Sequence, residues 1–479
     1  MSSEYNQIQR FPKNLSYNLA VLRNSIIKSK IRIDADRTSY SGNDIIKINL
    51  PVGRMIDTRS ICLYAKATAS IPSGTATSGT IHFPRGGLNS LIENLNITCN
   101  GKILQSTSQY NYIWNLLADI SGYFSGEQGA KRITENFDPS IAHTNPTGGA
   151  IPVVYAANIA VDATSTTNGH DSYYYCVNQW LGFFNGNVSV IDLNNFGTMQ
   201  ISITLAPNNC LFYGYNGTNP ASAPTTHTYS LTEVKLCLDT ITFTNSVYYD
   251  LVKSQLEGGG LNIAYYDYLV QTSSSYSRVD GSTYTHTAQI NCSSLDQVIA
   301  TYRPSNYSTA IDKLVLGTTG ATMTLNKLLA DPVTNLTGTH RGGFNNSAYF
   351  IRDGTGFNFG SWYINSQPFT QQANLIEVIN NDLQALNYTN LDISSGSFHP
   401  GCLTTGLFAT HYFADVLSLE NDSGDNNWWV SGLSSQGGVI NISYTANFKT
   451  STNSVIPYLI MRCSKVLNVK MGRLLDLME

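Results

Sequence analysis

Charge is scarce in this chain: Lys, Arg, Asp and Glu make up only 13% of its 479 residues, about half the share of an ordinary soluble protein. A surface so thinly charged has little of the repulsion that keeps monomers apart, and it points to a molecule covered mostly by neighbours. Cysteine is present but never clustered. The eight residues (Cys62, Cys99, Cys176, Cys210, Cys237, Cys292, Cys402 and Cys463) form no Cys-x-x-Cys pair, and several sit at inward strand positions, so they read as reduced core residues. No apolar run approaches the length of a membrane span. Residues 1–9 are polar and include Glu4, without the basic and apolar regions of a secretory signal, so the expectation is a protein made and kept in a reducing compartment.

Catalytic signatures are missing as well. There is no GxSxG elbow, no glycine-rich phosphate loop and no HExxH helix, which argues against the common hydrolase, nucleotide-dependent and zinc-peptidase chemistries. His399, Cys402 and His411 include one HxxC pair but lack the closing ligands of a zinc site. Asp422, Asp425 and Asn427 are rich in oxygen but do not follow the spacing of a calcium loop, and a solvated turn accounts for them. The sequence therefore predicts no metal, no cofactor, no catalytic residue and no enzyme activity.

What is present is a repeated β vocabulary. Leu95, Ile97 and Cys99 alternate with Asn94, Asn96 and Thr98, the period-two pattern of a half-buried strand. Asn100-Gly101 then turns the chain, because both residues accept the positive φ of a type I′ hairpin. A helix over 107–120 follows, with Tyr110, Ile113, Leu117 and Ile120 on one face. The second half offers a similar unit: a strand over 359–365 leads to a helix over 371–387, with Ile376, Ile379, Leu383 and Leu386 at the same offsets. Later, Met199, Ile201, Ile203 and Leu205 alternate cleanly, as do Ile440, Ile442, Tyr444, Ala446 and Phe448. The long strand over 232–244 changes face midway, which predicts a bulge, and 456–469 mirrors it.

The pattern divides the chain into a basic N-terminal arm (1–42), a first β domain (43–248), a linker with a short helix ending in Gly258-Gly259-Gly260 (249–260), a second β domain (261–470) and a short tail (471–479). Each half holds about eight strands, the number of a two-sheet jelly roll. The expected fold is all-β: two tandem eight-stranded jelly rolls with short helices in the connections. Stretches 121–175, 206–230 and 326–358 are too long for ordinary connections and read as large surface loops that carry contacts. Tyr173-Tyr174-Tyr175 and Trp428-Trp429 lie beside such loops, and because neighbours in a strand face opposite ways, one member of each group is expected in a core.

Residues 91–104, Leu-Ile-Glu-Asn-Leu-Asn-Ile-Thr-Cys-Asn-Gly-Lys-Ile-Leu, followed by Tyr110 and Ile113-Trp114-Asn115-Leu116, resemble the strand, glycine turn, strand and aromatic helix of the double jelly-roll major capsid proteins of icosahedral DNA viruses. Cys176-Val177-Asn178-Gln179-Trp180-Leu181-Gly182-Phe183-Phe184, leading into residues 199–208, resembles later strands of that family's first roll. Leu295-Asp296-Gln297-Val298-Ile299-Ala300 resembles an early strand of its second. The resemblance spans most of residues 43–470. It departs where large-virus members have a Gly-Gly turn and this chain has Asn100-Gly101, and the short length is closer to the polinton-like virus and virophage group.

The resemblance implies a homotrimer whose six rolls form a pseudo-hexagonal capsomer within a virion shell assembled inside the host cell. Its expected partners are copies of itself, penton and minor capsid proteins, and genome or an anionic internal membrane beneath. Both termini would lie at the capsomer base, and both are basic. Between Arg10 and Arg32 every charge is positive, and Lys449, Arg462, Lys465, Lys470 and Arg473 follow without an acid between them. Arg10, Lys13, Arg23, Lys28, Lys30, Arg32, Lys470 and Arg473 are thus candidate contacts to phosphate groups on the interior side, against the plainer reading of solvated strand ends. The alternative function is a jelly-roll glycan-binding or host-attachment protein, and a jelly-roll glycosidase would need an opposed carboxylate pair.

Overall fold

The computed structural model describes residues 26–70, 79–84, 86–120, 161–162, 171–185, 190–216, 228–243, 247–258, 260–307, 312–317, 348–369, 374–375, 379, 413–420, 432–435, 438–449, 452–470 and 474–478. Two β-sandwiches follow one another along the chain. In the first, one sheet orders β1 (Ile26–Asp34), β13 (Thr228–Phe243), β4 (Met55–Ser70) and β10 (Val190–Asp192), with β2 (Ser39–Ser41) on β13 and β9 (Asp171–Val177) on β4. The facing sheet orders β3 (Ile45–Asn49), β11 (Met199–Leu205), β6 (Ile92–Cys99) and β7 (Lys102–Ser108).

The second sandwich repeats this plan. One sheet orders β14 (Leu261–Thr272), β24 (Thr452–Lys470), β17 (Leu295–Pro304) and β22 (Asp415–Ser418), with β15 (Tyr276–Arg278) and β25 (Leu474–Met478) also on β24. The other orders β16 (Thr283–Ile290), β23 (Ile440–Phe448), β19 (Phe357–Ile364) and β20 (Gln367–Pro368), with β21 (Asn374–Leu375) on β19. Counting the main strands of each half from one to eight along the chain, both halves read 1-8-3-6 in one sheet and 2-7-4-5 in the other. That is jelly-roll wiring, written twice.

Local chemistry explains the elements. At the β6–β7 hairpin, Asn100 and Gly101 have φ of 48° and 79°, the pair of positive values that a type I′ turn demands. The Asn100 amide also spans to the next connection, donating to the Phe196 carbonyl at 2.5 Å and accepting from the Thr198 N–H at 3.0 Å. β11 alternates buried and half-buried residues along its whole length, so Met199, Ile201, Ile203 and Leu205 enter the sandwich interior while Gln200, Ser202 and Thr204 look outward. Each such apolar side chain contributes roughly 1.5–3 kcal/mol on burial. β13 slips register between Thr232 and Lys235, where Glu233 at φ 53° marks the extra residue; the second slip, between Cys237 and Asp239, puts its extra residues on β4, and β13 changes face just beyond it, at the consecutive buried residues Thr240 and Ile241.

Several expectations are corrected. Residues 26–34 and 39–41 are not part of an arm but strands of the first roll, paired with β13 from Ile26↔Phe243 to Asp34↔Lys235 and from Ser39↔Thr232 to Ser41↔Ser230. The tail contains β25, which returns along the end of β24. Trp180–Phe184 is not strand; Phe183–Asn185 forms a 3-10 turn. The second helix cannot begin at 371, because Asn374–Leu375 is strand against Phe359 and Gly360. Of that helical face only Ile379 is described, helical and buried, while Ile376, Leu383 and Leu386 lie outside the described residues.

A small third sheet joins the halves. It orders β18 (Asp312–Gly317), β12 (Phe212–Asn216), β5 (Gly79–His82) and β8 (Val161–Asp162). Its strands come from interstrand connections, two of them from the large loops read from sequence. β12 of the first half runs parallel to β18 of the second.

Candidate functional site

The two rolls meet along one seam. Their seam is built around the helix Tyr110–Ile120, which follows β7. Its side chains point into both interiors. Tyr110, Trp114 and Ala118, spaced by one turn, join the core of the first roll, whereas Tyr112, Ile113 and Leu116 join that of the second. Even its polar side, Asn111 and Asn115, is fully buried, so the single apolar face read from sequence, which placed Tyr110 with Ile113, is corrected to two. The exchange is mutual: Ile263, Tyr265, Leu467, Val469 and Leu475 of the second half pack into the core of the first.

Polar groups fix the register of this seam. The Tyr265 hydroxyl donates to the Leu104 carbonyl at 2.5 Å. Thr107 donates to the buried Asp267 carboxylate at 3.3 Å, and Lys465 pairs with the same carboxylate at 3.0 Å. Beside them, the fully buried Arg303 guanidinium lies over the rings of Tyr307 at 3.4 Å, Tyr349 at 4.3 Å and Tyr112 at 4.6 Å. Arg303 Nε donates to the Tyr349 carbonyl at 2.9 Å, and Nη1 donates to Gln109 Oε1 and to the Tyr458 hydroxyl. Gln109 in turn donates at 2.6 Å to Glu93, which also accepts from Asn111 at 3.0 Å and from the Tyr349 hydroxyl at 2.6 Å. Burial raises the Tyr349 phenol, Arg303 opposes that, and Glu93 adds to it, so the hydroxyl stays protonated and able to donate. Gln109, Tyr112 and Glu93 belong to the first half; Arg303, Tyr349 and Tyr458 belong to the second.

The basic residues predicted to contact the interior fall into two groups. Arg10, Lys13, Arg23 and Arg473 lie outside the described residues. Lys28, Lys30 and Arg32 stand at alternate positions on the exposed face of β1, with Ile31 and Ile33 packed against the core on the other. Lys28 pairs with Asp57 at 3.1 Å and Lys30 with Asp239 at 4.0 Å. Lys470 pairs with Asp476 at 2.6 Å, and Lys102 reaches both Asp476 at 3.9 Å and the Leu475 carbonyl. Lys470 first, then Lys102, holds the Asp476 carboxyl below its ordinary value. Lys28 and Lys470 share one end of the molecule: Lys28 stands opposite Ile241 and so beside Met55 and Asp192, while the β6–β7 hairpin, bonded to Phe196 through Asn100, carries the Lys102 that reaches Asp476. At that end the described lysines pair with aspartates.

Among the described residues no group of three or more His, Cys, Asp or Glu is placed to hold a metal ion. His286, stacked on Tyr276 with a ring separation of 5.4 Å, is pushed down to about 4 by burial and is a neutral core residue. His399, Cys402, His411, Asp422, Asp425, Asn427 and Trp428-Trp429 lie outside the described residues. Tyr174 is exposed and donates to Glu233 at 3.0 Å, while Tyr175 is fully buried, the opposed facing expected of strand neighbours. Cys99, Cys210, Cys292 and Cys463 are buried as expected. Cys176 is buried too, and Cys62 and Cys237 are half-buried, but strand parity with Tyr64 and Tyr174 puts all three on the outer face of their sheet rather than in the sandwich interior.

The fold is thus a double jelly roll, one chain holding two rolls of identical wiring locked through a shared helix. No family model matches the sequence, and no curated protein does. Solved structures of the same fold do. A chain of the Sputnik virophage, solved by cryo-EM, superposes with a TM-score of 0.58 at 13% identity, covering 94% of this chain and 88% of that one. The mavirus major capsid protein gives 0.53 at 11% identity, covering 94% and 90%. The Faustovirus major capsid protein gives 0.52 at 13% identity, covering 93% and 91%.

Proposed function

We propose that this chain is a major capsid protein, a structural and non-catalytic subunit that assembles with copies of itself into an icosahedral viral shell. The observation that carries the reading is the extent of the likeness: both rolls, in the same order, match capsid subunits over nine-tenths of each chain. A seam that exchanges side chains in both directions makes two rolls behave as one rigid brick, which a shell needs and a pair of tethered binding modules does not. The scarcity of surface charge fits a molecule whose flanks are covered by neighbours.

In its finer form the reading is a homotrimer presenting six rolls as a pseudo-hexagonal capsomer. The end bearing Lys28, Lys30 and Lys470 faces the interior, where genome or an anionic membrane lies, and penton and minor capsid proteins complete the shell. Light scattering on chromatographed protein, followed by electron microscopy, tests it. Three 52.4 kDa chains per particle with a hexagonal outline are expected. A stable monomer that binds glycans would instead establish the host-attachment alternative.

A further inference from the structure

On the outer face of the first roll, two thiols nearly touch. Cys62 of β4 and Cys176 of β9 sit on neighbouring strands, where Tyr64↔Cys176 and Leu63↔Val177 fix the register. The two cysteines are therefore diagonal neighbours on one face, and their sulfurs stand 2.6 Å apart. A third thiol, Cys237 of β13, lies directly opposite Cys62 on its other side, and Arg32 lies opposite Cys237 in turn. One row across this face thus reads guanidinium, thiol, thiol, with Cys176 at its end. At Cys237 burial holds the thiol above its ordinary value, outweighing the pull of Arg32 and Lys30 toward thiolate. Cys62 is half-buried beside Tyr64, which is 41% exposed, whereas Cys176 is buried, so a small oxidant from solvent meets Cys62 first.

We propose that Cys62 and Cys176 are a modification site: a dithiol that closes to a disulfide when the protein meets a small-molecule disulfide such as oxidised glutathione. The Cys62 thiolate attacks one sulfur of the oxidant, forming a mixed disulfide and releasing one glutathione thiolate. The Cys176 thiolate then attacks the Cys62 sulfur, forming the protein disulfide and releasing the second glutathione. Two protein thiols are oxidised, one glutathione disulfide is reduced, and both thiol protons end on the two glutathiones. Bond formation asks the sulfurs to close by only about 0.5 Å. The bridge ties β4 to β9 and closes a loop holding β6, β7 and the seam helix, so it restrains the unfolded chain over more than a hundred residues. This site is independent of the capsid reading.

The test uses wild-type protein. Reduced protein is incubated with oxidised glutathione under native conditions, quenched in acid, alkylated in denaturant and mapped by mass spectrometry. A Cys62–Cys176 linked peptide, loss of two alkylatable thiols, reversal by dithiothreitol and an upward shift of the melting midpoint are expected. Cys62→Ser should abolish the link while leaving Cys99 and Cys210 alkylated as in wild type. Glutathione adducts at either residue without a link, a link to any other cysteine, or an unchanged thiol map would each overturn the proposal.

Discussion

Replacing Arg303 by alanine should weaken the whole molecule and uncouple its halves. The guanidinium is fully buried and makes three hydrogen bonds, to the Tyr349 carbonyl, Gln109 Oε1 and the Tyr458 hydroxyl. Hydrogen bonds to a charged group are each worth roughly 1.5–3 kcal/mol, and a desolvated cation against aromatic rings adds about 2 kcal/mol. Against this stands the desolvation of the guanidinium itself, several kcal/mol, which the variant no longer bears. The balance is a loss of about 3–5 kcal/mol, the range found when one member of a buried charged network is removed. Because the partners come from both rolls, the loss falls on the seam. Urea unfolding followed by tyrosine and tryptophan fluorescence should show a lower midpoint and a split of one transition into two. Arg303→Lys keeps the charge but not the planar fork that serves Tyr349 and Gln109 together, and should fall between wild type and alanine. An alanine variant within about 1 kcal/mol of wild type, with a single transition, would refute the idea that this cluster couples the rolls.

Other outcomes follow from particular contacts. Burial pushes the Asp296 carboxyl up to about 6, against hydrogen bonds from Ser294 at 2.6 Å and Ser464 at 2.7 Å. The folded state therefore holds a proton that the unfolded chain releases near 3.8, so this group's stabilisation is full below about pH 4 and is lost as pH rises to about 6. The difference in unfolding free energy, from urea titrations, between wild type and Asp296→Asn should move in favour of the variant by on the order of 2–3 kcal/mol between pH 4 and pH 7; a flat difference would contradict it. Gly101→Ala meets only the strain of its φ of +79°, with no atom within 4 Å, and should cost about 1 kcal/mol in thermal or urea unfolding. Gly197→Ala, whose Cβ would stand 2.3 Å from the Asn100 amide oxygen, should cost about twice that or more, because it also displaces the bonds of Asn100 to Phe196 and Thr198. On the proposed capsomer reading, changing Arg10, Lys13 and Arg23 together to Glu should leave the oligomeric state unchanged by light scattering while reducing nucleic acid or membrane in purified particles; normal filling would remove these residues from the proposed interior contact.

Legibility in the sequence tracked the range of the interactions. Strands with one wet and one dry face, such as Met199–Leu205 and Ile440–Phe448, announce themselves through alternation, and Asn100-Gly101 states its turn outright. β1 was legible too: in Ile-Ile-Lys-Ser-Lys-Ile-Arg-Ile-Asp the cations alternate with Ile31 and Ile33, but the run of positive charge drew the eye away from the period. The helix Tyr110–Ile120 defeated a one-face reading because it serves two interiors, and a moment measures only one direction. The Arg303 cluster left no trace, since Glu93, Gln109, Arg303, Tyr349 and Tyr458 are joined by topology alone. Likewise, nothing in the spacing of Cys62, Cys176 and Cys237 says that the sheet sets them in adjacent strands.

The two-sided helix also dictates an order of events at the ribosome. Once residue 258 has emerged, every strand of the first roll is available, yet Tyr112, Ile113 and Leu116 have no second core to enter. About two hundred further residues must be made, roughly 10–40 s at ordinary elongation rates, before β24 is complete. Throughout that interval the nascent chain carries an uncovered aromatic and aliphatic flank among crowded siblings on the same message. A truncation at the linker helix should therefore leave this flank uncovered and yield aggregates rather than a soluble single roll.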